Sequence, residues 1–212
     1  MRNNTHTVLQ ELLQSHIGFG KAQYKIVSPM FAGNLVKGAM TLTLGIILPI
    51  VRHKWELNTI EASVGLFIIY AGMTVGLLLQ ALADKVGRKK TLLMALIIDL
   101  VALLGLLSWN WYLFVFFFFL SQVSNTLTIS TTLIYITEVT TNEHRPALFL
   151  KLGLAFIGGF AYACLTGYFL LTPALWRYMF VVMYVPCLIS VGIYCCWAKE
   201  TLQYLWAKKE KD

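Results

Sequence analysis

The sequence predicts an all-α integral membrane protein, with six transmembrane helices arranged as two inverted three-helix repeats. Three observations lead there. Of the 212 residues, 58% are hydrophobic and only 13% charged, where a soluble domain carries about 25% charged residues. Several apolar runs reach the roughly 20 residues that cross about 30 Å of hydrocarbon. Basic residues collect in alternate connectors, as the positive-inside rule demands of a polytopic chain.

The hydropathy pattern places spans at 27–50, 61–82, 91–109, 112–133, 147–171 and 177–198. Runs such as YLFVFFFFL are apolar all round, unlike the one-sided stripe of a soluble helix. Residues 1–26 form an N-terminal segment in which Val8, Leu9, Leu12 and Leu13 share one side of a helix, suited to docking on a partner or lying on the membrane. Residues 27–198 form the six-helix domain and 199–212 a charged tail. The polar stretch before the first span is too long for the n-region of a cleavable signal peptide, so none is expected.

All of the 17 Lys and Arg except Lys37, Arg52, Lys54 and Arg177 fall on one side if the two termini share it. Both termini are therefore expected on the cytoplasmic or matrix-equivalent side. The net charge of +7 reports this orientation, and no nucleic-acid partner is expected. Cys164, Cys187, Cys195 and Cys196 lie in spans at no metal-ligand spacing, and no disulfide is expected. Cys195 and Cys196 read as apolar fillers or as palmitoylation sites. With no nucleophile–base pair, paired catalytic carboxylates, metal constellation or nucleotide loop, the chain is expected not to be an enzyme and to need no cofactor or metal.

Small residues cluster in the second and fifth spans, as Gly65, Gly72 and Gly76 and as Gly159, Ala163 and Gly167. Such spacing lets helices approach closely in lipid. The two spans are the middle members of triplets 1–3 and 4–6, as an inverted repeat requires.

Two ionisable residues fall inside spans, Lys37 in the first and Asp99 in the third. A charge at mid-membrane costs about 2.5–3.5 kcal/mol on insertion scales, so each needs a reason. Each sits roughly eight to ten residues into an outward-running helix, which gives similar depths at about 1.5 Å per residue. Lys37 binds an anionic solute, or the two relay a proton; alternatively they pair with each other or a neighbouring subunit, or Lys37 snorkels to the interface. In the fourth span Ser121, Ser124, Thr128 and Thr132, with Asn125 beside them, share a helix face. They line an aqueous cavity or bond their own and neighbouring helices. Trp55, Trp109, Trp111 and Trp176, with Arg177, are expected in an interfacial aromatic belt.

The loop ALADKVGRKK after span two resembles the signature loop of the major facilitator superfamily. The segment YITEVTTNEHR is similar to that superfamily's second motif, with Tyr135, Glu138 and Arg145 in register. The resemblance implies half of a major facilitator fold, and a charged latch built from Asp84, Gly87, Arg88, Glu138 and Arg145. GFGKAQYKI and WRYMFVVMYVP resemble one branch, the synaptic-vesicle glycoproteins and organic-ion transporters. Superfamily transporters usually have twelve spans in two halves, and this chain resembles the N-terminal half. It departs from the branch at Gly38–Thr41, where an Asp-Ala-Met-Glu run is usual, and at Gln80, which replaces a loop glycine. It departs again at Phe118, Gln122 and Thr126, which replace an arginine and two glycines, and in the tail at Lys199, Leu202 and Gln203. The expected function is a non-transporting accessory subunit of a larger membrane complex. The alternative is a solute transporter, for an organic ion or sugar-like molecule, acting as a homodimer. Expected partners are the lipid bilayer and other membrane subunits or a second copy.

Overall fold

A computed structural model describes residues 21–81 and 86–197. The amphipathic segment bearing Val8, Leu9, Leu12 and Leu13, the loop residue Asp84 and the 199–212 tail lie outside the described residues. Six helices follow in order: α1 (Lys21–Lys54), α2 (Thr59–Leu78), α3 (Arg88–Gly105), α4 (Trp111–Val139), α5 (Arg145–Leu170) and α6 (Tyr178–Trp197). No strand occurs among the described residues.

Local chemistry sets the helix ends. Asn110 Oδ1 accepts from the Tyr112 N–H at 2.9 Å and caps α4. Glu61 reaches back to the Asn58 N–H at 2.9 Å at the start of α2. Pro146 opens α5, where its missing N–H costs nothing. Gly87 adopts φ 106°, a backbone open only to glycine without strain, and turns the chain into α3.

Three prolines sit inside helices, Pro29 and Pro49 in α1 and Pro186 in α6. Each frees the carbonyl four residues earlier, which needs another donor where lipid surrounds it. The Ser28 hydroxyl donates to the Lys25 carbonyl freed by Pro29, at 3.0 Å. The Tyr162 hydroxyl of α5 donates to the Val182 carbonyl freed by Pro186, at 3.1 Å.

Two spans run longer than the apolar runs that announced them. The first helix begins at Lys21 rather than 27, and α4 continues to Val139 rather than 133. Polar turns such as Tyr24–Lys25 and Thr137–Glu138 extend these helices beyond the hydrocarbon-length stretch. Among the described residues five helices are long and apolar enough to cross a membrane. The 18-residue α3 is not among them, because Arg88, Lys89, Lys90 and Asp99 put four charges in its length.

Packing follows the inverted repeat. α1 packs on α5 and α6, α4 packs on α2 and α3, and α1 touches α4 as α3 touches α6. Exchanging α1 with α4, α2 with α5 and α3 with α6 leaves these six pairings unchanged, while the lighter α5–α6 and α4–α5 contacts have no counterpart of their size. Glycines make the closest approaches. A side chain at Gly76 would stand 2.6 Å from the Val123 carbonyl oxygen of α4, and one at Gly159 would meet the backbone of Leu35 and Ala39 in α1. Gly72 likewise faces Phe119 and Gln122, Ala163 is fully buried, and Gly167 lies against Ile46 and Met179. Of the small residues of α2 and α5, Gly72, Gly76, Gly159, Ala163 and Gly167 are thus spent inside the bundle, while Gly153 and Gly158 lie exposed on α5. The outward faces of the two helices carry Phe67, Leu78, Leu150 and Phe169, all exposed.

The core has two parts. One end holds Trp55, Trp111, Phe114, Phe118, Trp176 and Phe180 in edge-to-face and stacked contact, with centroids 5.1–6.3 Å apart. We call this the tryptophan end. The other, the basic end, holds a smaller cluster around Val27, Met30, Leu96, Tyr135 and Tyr194.

Candidate functional site

Between the two clusters the bundle interior is polar. Lys37 of α1 forms an ion pair with Asp99 of α3, and both are 0% exposed. The Lys37 ammonium also donates to Ser124 Oγ of α4 at 2.7 Å, and the Ser124 hydroxyl donates to the Ala95 carbonyl of α3 at 2.5 Å. Ser121 Oγ donates to the other Asp99 oxygen at 3.3 Å. Burial of either charge alone would be costly, but the cluster is neutral and both carboxylate oxygens have donors.

The polar stripe continues along α4. Asn125 Nδ2 donates to Thr41 Oγ1 of α1 at 3.0 Å and to Gln122 Oε1 at 3.2 Å, leaving its own Oδ1 unpartnered. Toward the basic end, the Thr128 and Ser190 hydroxyls are buried without partners on either side of Gly33, where a side-chain carbon would still fit. Thr132 donates weakly to the Met30 sulfur at 3.8 Å, as does the Tyr194 hydroxyl at 3.7 Å. Ser121, Asn125, Thr128 and Thr132 are all buried among helices of the same bundle. An open groove of about 1080 Å³ lies elsewhere, at the tryptophan end, lined by Trp55, Glu61, Trp109, Trp111 and Tyr112 among others.

At the basic end Arg88 Nη2 lies 3.1 Å from Glu138 Oε1, joining the start of α3 to the end of α4. Arg145 donates to the Thr137 and Thr140 carbonyls at 2.6 and 3.2 Å, so it caps the C-terminus of α4 across the turn. Gln80 accepts from Ser130 and, at 3.2 Å, from Thr131. In the sequence Gln80 is only a departure from a glycine; in the fold it ties the end of α2 to α4. Thr41 was likewise visible only as a substitution, and its contact with Asn125 depends on helix register. Among the described residues no group of His, Cys, Asp or Glu could hold a metal.

Fold and sequence together define an integral, multi-pass membrane protein. The chain belongs to the Major Facilitator Superfamily, whose sequence pattern matches residues 30–212. No curated protein sequence matches it. Among solved structures, the proton:xylose symporter XylE bound to 6-bromo-6-deoxy-D-glucose superposes with a TM-score of 0.77 at 18% identity, over 88% of this chain and 46% of that one. A partially occluded, inward-open conformation of the xylose transporter XylE from E. coli gives 0.78 at 17% identity, over 89% of this chain and 51% of that one. The chain thus spans about half the length of these structures, and the likeness is one of fold.

Proposed function

We propose that this six-helix unit is one half of a transport path for a small polar organic solute. It is completed by a second six-helix unit, in the simplest case another copy of the chain. The observation that carries this reading is the family match across residues 30–212, on a bundle that corresponds to about half of each sugar transporter it resembles. Nothing in the fold or the comparisons favours the accessory-subunit reading. The polar residues at the α1–α4 contact, Thr41, Gln122 and Asn125, are candidates to meet solute, because Asn125 Oδ1 still lacks a donor. The flanking motifs GFGKAQYKI and WRYMFVVMYVP favour the organic-ion branch, so organic ions are tested beside sugars. The basic end faces the cytoplasm or its equivalent, on the positive-inside rule.

The test is purification of the full chain in a mild detergent, native mass determination, and reconstitution into liposomes with labelled xylose, glucose and a small organic cation. A particle of two chains with saturable uptake of one probe supports the proposal. A single chain with no uptake, or a fixed complex with unrelated subunits and no uptake, removes it.

A further inference from the structure

Three connectors converge at the tryptophan end, and they bring together hydrogen-bond donors without acceptors. Arg177, at the end of the α5–α6 connector, lies with its guanidinium carbon 3.9 Å from the Trp109 ring centroid and 4.8 Å from that of Trp176. Lys54, the last residue of α1, holds its ammonium 5.7 and 6.0 Å from the same two rings. Trp55 fixes the platform by donating its indole N–H to the Trp109 carbonyl at 3.2 Å. Cation–π contacts of this kind hold a cation in place but leave its N–H groups unspent.

Arg177 Nε and Nη2 are buried and have no hydrogen-bond partner, and neither has the indole N–H of Trp176, a residue 0% exposed. No ion pair to Lys54 or Arg177 occurs among the described residues, where the pairs found are Lys37–Asp99 and Arg88–Glu138. Buried polar groups are nearly always satisfied, so three orphan donors, two on the Arg177 cation itself and one on Trp176, with Lys54 alongside, call for an acceptor that carries negative charge. Burial with no facing carboxylate lowers the Arg177 pKa from its ordinary value. The Nε–Nη2 edge is the side of a guanidinium that grips two oxygens of one oxyanion.

We infer that Arg177, Lys54 and the Trp176 indole form a binding site for a phosphate group at the tryptophan end of the bundle. Trp109, 78% exposed and stacked over the guanidinium, forms the outer wall of the site. A tryptophan belt marks the depth of lipid headgroups, so the phosphate comes from a phospholipid or from a free anion in solution. The site also accounts for two basic residues retained at the end that the charge bias otherwise leaves poor in cations. The inference does not depend on the transport reading.

The test uses the full chain in a mild detergent, monodisperse by size exclusion, with Arg177→Gln and Lys54→Gln beside it. Inorganic phosphate is titrated against tryptophan emission. Phosphatidylglycerol retention is read by native mass spectrometry, with diacylglycerol as the phosphate-free control. A saturable response to inorganic phosphate, weakened about tenfold in both variants, establishes a site for a free oxyanion. Retention of phosphatidylglycerol alone, weakened likewise, establishes a headgroup site. Binding of neither probe, or binding that the variants leave unchanged, overturns the inference. Lys54 is exposed, so Lys54→Gln decides the matter even if Arg177→Gln does not fold.

Discussion

The tryptophan end and the middle of the bundle are held together by different physics. At the end, Phe114 meets Trp55, Trp176, Phe118 and Phe180 edge-on, within 5.1–6.3 Å. These contacts are many, individually weak and tolerant of small shifts. Around Lys37 a handful of directional bonds joins α1, α3 and α4, and each depends on the others. Loss of one ring removes its own contacts, whereas loss of one charge strands its partner.

The largest effect is expected at that pair. Asp99→Ala, which leaves Lys37 buried and unpaired, should cost about 3–5 kcal/mol. Replacing both residues, Lys37→Met with Asp99→Leu, should recover most of it. Thermal unfolding midpoints in detergent check both, and a single variant as stable as the parent would break the comparison. Phe114→Ala should cost about 3 kcal/mol by leaving a cavity, with no such rescue by a second deletion at Phe118. Gly76→Ala, whose new carbon would stand 2.6 Å from the Val123 oxygen, should cost about 1–3 kcal/mol by prising α2 from α4. Cysteine cross-linking between those helices reads the separation. The smallest effect is expected at the basic end. Glu138→Gln removes the charge of a largely buried pair but keeps an oxygen that can accept from Arg88, and should cost about 1 kcal/mol; a drop approaching that of Asp99→Ala would show that this end shares the physics of the middle.

Five of the six helices were legible because hydrocarbon thickness imposes a length that composition reveals directly; α3, with its four charges, was legible from the apolar run between its basic start and Gly105. Gly72, Gly76 and Gly159 were legible as packing residues, since a close approach needs them whatever the partner. Which helix each would meet was not, because α2 on α4 and α5 on α1 depend on topology rather than local pattern. Lys37 and Asp99 were conspicuous as charges at similar depth, yet depth says nothing of azimuth, and their contact depends on the rotation of two helices. Ser121 and Ser124 read as a stripe, while their roles as donors to Asp99 and to Ala95 come from neighbours remote in sequence. The orphan donors at Arg177 and Trp176 had no signal beyond an expected belt, since satisfaction is a property of surroundings.

The exchange symmetry of the packing has a mechanical consequence. α1, α5 and α6 make one beam and α4, α2 and α3 its counterpart, each stiffened by its own glycine-tight contact. Lys37 belongs to the first beam, while Asp99 and Ser124 belong to the second, so the ionic cluster is a rivet driven through the seam between them. Shear along that seam meets directional bonds at mid-membrane and apolar packing at both ends, so the seam is pinned at one depth and cushioned at the others.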